Sequence, residues 1–251
     1  MIDLSKISTR APDDLDKGEA RKAARARAKR IAELHAQLVA EGKHSVLILL
    51  QGMDASGKDG AMRNVFGECS PFGLQAVGWK KPTEEEMSHD FLWRIHKQVP
   101  AKGEMVIFNR SHYEDVLIQR VHGWIDEEHV ERRMASINAF ERLLQYDNNT
   151  LILKFYLHLS KEQQKEELLE RVHEPEKYYK HNDGDWAERL HWEKYRAAYH
   201  DVLNKSEVPW HVVPVDQRWY RDYVMTDIVV QALEGLQMEW PALDTQRTSF
   251  D

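Results

Sequence analysis

The chain is poor in the features that link a protein covalently or anchor it in a membrane. Its 251 residues include one cysteine, Cys69, so an internal disulfide is excluded, and no cysteine–histidine set has the spacing of a zinc site. It contains no run of about 18 apolar residues, which a membrane-spanning helix requires. The N-terminal segment MIDLSKISTRAPDD also lacks the apolar core of a signal peptide. These absences predict a cytoplasmic protein that does not enter a membrane.

An excess of positive charge is also lacking. The chain carries 35 lysines and arginines against 42 acidic residues, a net charge of −7, which argues against a general nucleic-acid binder. A polyanionic ligand is still compatible with this charge, because steering depends on the local field rather than on the sum. The 42% apolar content supplies a core. Because no repeat or low-complexity linker divides the chain, we predict a single domain over residues 1–251.

Strand and helix signals alternate along the chain. Apolar runs predict five strands, at 44–50, 75–79, 104–108, 150–159 and 210–215. Helical spacing and capping signals predict helices at 15–41, from the end of the first loop to about 68, at 83–100, 111–119 and 127–146, after Ser160, and at 185–203 and 218–236. Continuous apolar strands separated by helices indicate an α/β fold with a parallel sheet covered on both faces. Ligands bind beyond the carboxyl ends of such strands.

A glycine-rich loop follows the first predicted strand. The segment QGMDASGKDG, residues 51–60, contains Gly52-x-x-x-x-Gly57-Lys58, a pattern typical of loops that cradle phosphates with backbone N–H groups and a lysine. The usual Ser or Thr after the lysine is replaced by Asp59, and Asp54 lies inside the loop. Two carboxylates beside a polyanion require a cation between them, so the sequence predicts bound Mg²⁺, with Mn²⁺ as a substitute. The alternative is a glycine turn that arose by chance.

The end of the third predicted strand carries a second polar group. The segment MVIFNRSHYEDV, residues 105–116, places Asn109 and Arg110 at the strand end and Glu114 and Asp115 one helical turn later. Arg110 suits bidentate binding of a phosphate, and a surface ion pair is its alternative role. Asn109, Glu114 and Asp115 are each candidates for a second metal-site residue. The two acids are equally explained as first-turn residues that the helix dipole favours.

Three basic segments complete the candidate site. Residues 170–195 are interrupted by Pro175 and Gly184 and carry Arg171, Lys177, Lys180 and Arg189, which predicts a lid at about 171–190 that closes over phosphates. An ordinary helix–loop–helix with solvated lysines is the alternative. Lys80 and Lys81 precede a helix N-terminus and form a second candidate anion site. The helix at 15–41 has a basic flank that either is solvated or attracts a polyanion, with members Arg21, Lys22, Arg25, Arg27, Lys29 and Arg30.

The motifs GMDASGKDG, FNRSHYEDV and RVHEPEKYYKHNDGDWAERLHWEKY together resemble the polyphosphate kinase 2 family, and FNRSHYEDV resembles its class III branch. The resemblance implies a three-layer α/β/α phosphate-loop kinase fold like that of thymidylate kinase, with a helical lid. It also implies a homo-oligomer and Mg²⁺-dependent phosphoryl transfer between inorganic polyphosphate and AMP or ADP, with ATP as a product. The sequence departs from the family at His181-Asn182, after Tyr179-Lys180.

The resemblance also assigns roles to individual residues. Asp54 and Asp115 are expected to hold the metal, Lys58 and Arg110 to bind the phosphates at the transfer point, and Arg171 to act from the lid. The remaining residues expected to bind phosphate or nucleotide are Gly52, Met53, Ala55, Ser56, Gly57, Asp59, Gly60, Arg63, Lys80, Lys81, Lys177 and Lys180.

Two other functions are compatible with the loop. One is a nucleoside-monophosphate kinase with ATP as donor, which Asp59 and the extended basic segments disfavour. The other is a non-catalytic regulator that binds nucleotide, for which a long cationic lid is unnecessary.

Overall fold

The five apolar runs form one parallel sheet in the computed structural model, which describes residues 1–245. The strands are β1 (Ser45–Gln51), β2 (Leu74–Gly78), β3 (Met105–Asn109), β4 (Thr150–His158) and β5 (Trp210–Pro214). Their order across the sheet is β2-β3-β1-β4-β5, and all four pairings are parallel. Each strand lies within about one residue of its predicted position, so the predicted five-stranded parallel sheet is confirmed.

Helices precede, separate and follow the strands. They are α1 (Lys17–Glu41), α2 (Lys58–Phe66), α3 (Glu84–Met87), α4 (Trp93–His96), α5 (Glu114–Val121), α6 (Glu127–Asn148), α7 (Lys161–His173), α8 (Asp183–Arg189), α9 (Trp192–Lys205) and α10 (Arg218–Glu234). A 3₁₀ helix, Pro175–Lys180, connects α7 to α8. Within residues 1–245, no helix combines the length and the apolar character that crossing a membrane demands.

All seven residues of β1 are buried, because both faces of the sheet are covered. Leu47 and Leu49 pack in the core that contains apolar residues of α5, α6 and α9. The alternate residues of β1 pack in a second core with apolar residues of α1, α2 and α10. Two helical layers therefore enclose the sheet, and the predicted α/β/α architecture is confirmed.

Two predicted helices are wrong in extent. The helix expected over residues 83–100 is divided into α3 and α4, although its predicted capping box is present at Thr83 and Glu86. The side chain of Asp90 accepts a hydrogen bond of 3.0 Å from the N–H of Leu92, a local bond that competes with helix continuation. The helix expected over 185–203 is likewise divided, into α8 and α9, with Leu190 and His191 at the break.

The N-terminal segment fixes the connection from β5 to α10. The N–H of Asp216 donates to the carbonyl of Thr9 at 3.0 Å, and the N–H of Ala11 donates to the side chain of Gln217 at 2.9 Å. Since α10 begins at Arg218, these bonds set the position of its first turn. That turn lies beside the glycine-rich loop, where Arg221 contacts Gly57.

Candidate active site

The glycine-rich loop connects the carboxyl end of β1 to the first turn of α2. It bends sharply, since Ala55 and Gly57 have φ angles of 65° and 84°, in the left-handed region. A Cβ atom on Gly57 would lie 2.6 Å from a guanidinium nitrogen of Arg221, so glycine is required there by both backbone conformation and space.

Lys58 closes the loop on itself. Its Nζ donates hydrogen bonds to the carbonyl oxygens of Gly52 and Met53, at 2.9 and 3.1 Å, and lies 3.4 Å from the hydroxyl of Ser56. Burial, together with the nearby positive charge of Arg110, lowers the pKa of Lys58 to about 8. The ammonium group is therefore held over the loop by neutral oxygens, and phosphate oxygens are stronger acceptors for it.

Arg110 joins the loop to the end of β3. It has a φ of 65°, and its N–H donates to the carbonyl of Leu50 at 3.0 Å. Its guanidinium lies between the carboxylates of Asp54, with which it forms a short ion pair, and Glu114, at 3.3 Å. The negative charge of Glu114 makes the largest contribution to raising the pKa of Arg110 above its ordinary value, so the guanidinium stays charged.

Glu114 rather than Asp115 faces the loop. The side-chain amide of Gln51 is assigned the orientation in which both its nitrogen and its oxygen have hydrogen-bond partners. In this orientation the nitrogen donates to Glu114 at 3.0 Å and the oxygen accepts from Ser111. Asp115 instead accepts a hydrogen bond of 2.6 Å from Gln119 and lies 3.9 Å from Arg94. Burial raises the pKa of Asp115 to about 6. The structure therefore does not bring Asp115 to the loop, contrary to its expected position.

Asp59, the residue that replaces Ser or Thr, connects the loop to two other elements. It accepts a hydrogen bond of 2.8 Å from the side chain of Asn109, at the end of β3. Its other oxygen lies 3.8 Å from Nζ of Lys180, in the predicted lid. Because the side chain is exposed, a bound phosphate can draw Lys180 away from it at small cost.

The predicted lid consists of the end of α7, the 3₁₀ helix and α8. Arg171 forms an ion pair of 2.6 Å with Asp185 and donates to the carbonyl of Lys180 at 3.2 Å. Lys177 pairs with Glu170 and Glu174. Burial, followed by the negative charge of Asp54, raises the pKa of Asp185 above its ordinary value.

These elements enclose a cavity of about 340 Å³, here called the loop cavity. Most of the residues singled out in the sequence line it: Asp54, Ala55, Ser56, Gly57, Lys58, Asp59, Gly60, Arg63, Asn109, Arg110, Arg171, Lys177 and Lys180. Gly52 and Met53 instead line a small space of about 20 Å³ on the far side of Asp54 and Arg110. Sequence motifs far apart in the chain are thus brought to one site.

Lys80 and Lys81 are not part of this site. They line a separate cavity of about 670 Å³ beside β2 and α3. In the sheet, β3 lies between β2 and β1. Strands are about 4.8 Å apart, so the end of β2 lies about 10 Å from the end of β1.

Sequence reasoning did not assign a role to Arg221. Its side chain is 2% exposed, and it donates to the carbonyl of Gly57 at 2.9 Å and to Asp222 at 2.6 and 2.8 Å. Asp222 in turn accepts from Asn64 of α2 at 2.7 Å. The role of Arg221 depends on a contact across the fold, which no local pattern indicates. Asp185 and Gln51 were missed for the same reason.

Two carboxylates beside the loop are the residues that could hold a divalent cation. Within residues 1–245, no group of three or more His, Cys, Asp or Glu side chains is arranged to hold a metal ion. Asp54 and Glu114 nevertheless offer carboxylate oxygens on both sides of Arg110. Mg²⁺ commonly binds through one or two carboxylates plus substrate phosphates and water, so this donor set fits a metal that arrives with its substrate.

Comparison with known proteins gives consistent matches. Residues 14–241 match the sequence model of the family described as polyphosphate kinase 2. The AMP/ADP-polyphosphate phosphotransferase of Meiothermus ruber is 44% identical over 242 residues, which cover 93% of this chain and 90% of that protein. The ADP-polyphosphate phosphotransferase of Rhodopseudomonas palustris is 36% identical, over 96% of this chain and 88% of that protein. The crystal structure of polyphosphate kinase 2 from Arthrobacter aurescens TC1 superposes with a TM-score of 0.94 at 42% identity, over 98% of this chain and 90% of that one.

Proposed function

Because the chain belongs to the polyphosphate kinase 2 family, we propose that it transfers a phosphoryl group between inorganic polyphosphate and adenine nucleotides, converting AMP to ADP and ADP to ATP. The observation that carries this proposal is the loop cavity, where Lys58, Arg110 and three lid cations surround one glycine-rich loop. Two polyanions that repel each other need such a concentration of positive charge to meet.

The transfer needs little covalent chemistry from the protein. A terminal oxygen of AMP or ADP attacks the terminal phosphorus of the polymer, the bond to the next bridging oxygen breaks, and the polymer leaves one phosphate shorter. Because the attacking oxygen already carries negative charge, no strong general base is required. Lys58 and Arg110 offset the charge on the phosphates at the point of transfer, which is where such cations act most strongly.

Asp54 and Glu114 are the residues that would hold Mg²⁺, or Mn²⁺ in its place. Such a metal would supply positive charge that offsets part of the negative charge on the phosphates. The guanidinium of Arg110 lies between the two carboxylates and offsets their charge. A phosphate oxygen that competes for Arg110 would leave both carboxylates available to the metal.

The lid supplies the remaining cations and excludes water. Arg171, Lys177 and Lys180 belong to a segment whose central part is a 3₁₀ helix, and each of them forms an ion pair with an acidic side chain. The pairs of Lys177 and Lys180 are partly exposed, so phosphates can compete for these side chains. A closed lid prevents hydrolysis of the polymer during transfer.

A second basic cavity adjoins the first and suits the rest of the polymer. It has a volume of about 680 Å³ and lies between α1, the end of α2 and the start of α10. We call it the phosphate groove, and its cations are Arg21, Arg25, Lys29, Arg63 and Arg218. Of these cations Arg218 also pairs with Glu167 and Glu170, and the other four face two carboxylates, Glu68 and Asp222, in a protein with a net charge of −7. Arg63, Asn64 and Arg218 line both cavities, so the groove continues the loop cavity.

The pattern of ion pairs along α1 supports binding of the polymer in the phosphate groove. Arg27 and Arg30 form ion pairs with Asp227 and Glu234 of α10. Over the described range 1–245, Arg21, Arg25 and Lys29 have no such carboxylate partner within salt-bridge distance, and all three are exposed. They are four residues apart, so one helix face presents a cation about every 6 Å. Regularly spaced, unpaired cations match the regular charge of a phosphate polymer.

The function is tested by incubating the protein with AMP or ADP, polyphosphate and Mg²⁺, and following ADP and ATP by chromatography. We expect multiple turnovers without ATP as donor, and the Lys58→Ala variant should turn over at least ~100-fold more slowly. Turnover only with AMP plus ATP would identify a nucleoside-monophosphate kinase. Nucleotide binding without turnover would identify a non-catalytic regulator. Cytoplasmic location and assembly into a homo-oligomer stay predictions.

A further inference from the structure

A cluster of buried polar side chains lies behind the active site and has no part in the proposed transfer. Lys154 of β4, Glu141 of α6, Tyr113 and His112 are each completely or almost completely inaccessible to solvent. Nζ of Lys154 donates to Glu141 and to the hydroxyl of Tyr113, both at 2.7 Å. The Tyr113 hydroxyl donates to Glu141 at 2.9 Å, and the ring of His112 lies 3.4 Å from the same carboxylate.

Stability alone does not account for this cluster. Desolvation of two charges opposes their mutual attraction, and apolar residues of similar volume often stabilise such a site equally well or better. Burial lowers the pKa of Lys154 to about 8, which is the direction expected of a costly environment. A buried ionic cluster that brings little net stability is better explained by what it positions.

The cluster holds the turn that carries the catalytic groups. Tyr113 and His112 directly precede Glu114, and Arg110 lies two residues before His112. Arg110 has a φ of 65°, a conformation that a non-glycine residue keeps only when its surroundings impose it. From one side the turn is held by β1, through Leu50 and Gln51. From the other side the cluster holds it, through α6 and β4.

We propose that Tyr113, Glu141 and Lys154 are positioning residues for phosphoryl transfer, which fix the turn so that Arg110 and Glu114 face the loop together. This inference rests on the proposed function for its kinetic consequence. The three residues contact neither substrate. Replacing the cluster by apolar side chains should therefore lower the rate of phosphoryl transfer without lowering the stability of the fold.

The test is the triple variant Tyr113→Phe/Glu141→Leu/Lys154→Met, which removes both buried charges and the hydroxyl between them together, and leaves Nε2 of His112 without its contact of 3.4 Å to the carboxylate. We expect a melting temperature close to that of the native protein, because the desolvation cost of the two charges is removed together with their attraction. We expect kcat to fall by up to about 100-fold, the scale for a misplacement of about 1 Å, while KM for ADP changes little. Ile137→Val is the matched control: Ile137 lies one turn before Glu141 on α6 and is fully buried, and its truncation should lower stability without changing kcat.

Two further measurements keep the inference testable. If the triple variant does not fold, Tyr113→Phe alone removes the three hydrogen bonds of the hydroxyl, with Lys154, Glu141 and Ser206, and should lower kcat by about tenfold with KM unchanged. Amide hydrogen exchange at residues 110–115, which needs no turnover, should be faster in either variant than in Ile137→Val. If the native protein shows no phosphoryl transfer, the proposed function is wrong. The hydrogen-exchange comparison then tests by itself whether the cluster positions the turn. A folded variant with native kcat, or with native exchange over residues 110–115, would overturn it.

Discussion

The guanidinium of Arg221 donates a hydrogen bond of 2.9 Å to the carbonyl of Gly57, a residue 164 positions earlier in the chain. A side chain on Gly57 would collide with Arg221, and one on Gly60 would lie 3.1 Å from it. Arg221 is held in turn by Asp222, which also contacts Asn64 of α2. The first turn of α10 thus sets the shape of the phosphate loop from outside it.

Replacement of Arg221 should therefore damage catalysis through the loop. Arg221→Met removes one donor from the Gly57 carbonyl, which keeps the N–H of Ala61, and the donors of one Asp222 oxygen, while the other oxygen keeps Asn64. The loss is about 1.5–3 kcal/mol for bonds to a charged group. We expect kcat/KM for polyphosphate to fall by about 10- to 100-fold. Arg221→Lys should restore only part of it, since lysine cannot bind Asp222 through two nitrogens. Arg30→Met, which removes an exposed ion pair between α1 and α10, is the control and should retain native kcat/KM.

The depressed pKa of Lys58 predicts an alkaline limit to activity. The ammonium form is present below a pKa of about 8 in the free enzyme and is lost above it, so kcat/KM for polyphosphate should decrease as pH rises through 8. Bound phosphates favour the charged form, and kcat should therefore decrease only at higher pH. In Lys58→Arg the side chain stays charged over this range, and the residual activity should lose the alkaline limb. A limb that persists unchanged in Lys58→Arg would assign it to another group.

Metal dependence should distinguish the two neighbouring acids of α5. Glu114→Gln removes a carboxylate that faces Arg110, so we expect a higher Mg²⁺ concentration for half-maximal activity, together with a lower kcat. Asp115→Asn changes a side chain that contacts Gln119 and Arg94 outside the loop cavity, and its Mg²⁺ titration should match that of the native protein. The reverse pattern would show that Asp115 turns into the site when the metal binds.

The phosphate groove predicts a dependence on polymer length. Arg25→Gln should raise KM for long-chain polyphosphate and leave KM for tripolyphosphate unchanged, because only a long chain extends from the loop cavity to α1. Lys22→Gln removes the same charge from an exposed position on α1 outside the groove, and it serves as the matched control. If both substitutions raise KM equally, or if Arg25→Gln raises KM equally for long-chain polyphosphate and tripolyphosphate, the groove does not bind the polymer.

Local patterns in the sequence predicted most of the sheet and the loop. Strand positions follow from apolar runs, and the loop follows from the spacing of Gly52, Gly57 and Lys58. The position of Lys80 and Lys81 could not be predicted in this way, because it depends on β2 being separated from β1 by β3. The order of strands is a property of the whole fold rather than of any one segment.

The distinction between Glu114 and Asp115 was also beyond local reasoning. Successive residues of a helix point about 100° apart, so only one of the two acids can face the loop. Which one does so depends on the rotation of α5, and the completely buried side chains of Val116 and Leu117 set that rotation against the sheet. Arg221 illustrates the same limit, because its contact with Gly57 exists only once α10 has packed beside α2.

The most direct test of the proposed phosphate site is a crystal structure of the protein with Mg²⁺ and a polyphosphate analogue that cannot transfer its terminal phosphate. We expect the terminal phosphate in the loop cavity, within hydrogen-bond distance of Lys58 and Arg110, with the metal against Asp54 and the chain extending along the phosphate groove. An empty loop cavity with the polymer bound elsewhere would contradict the account.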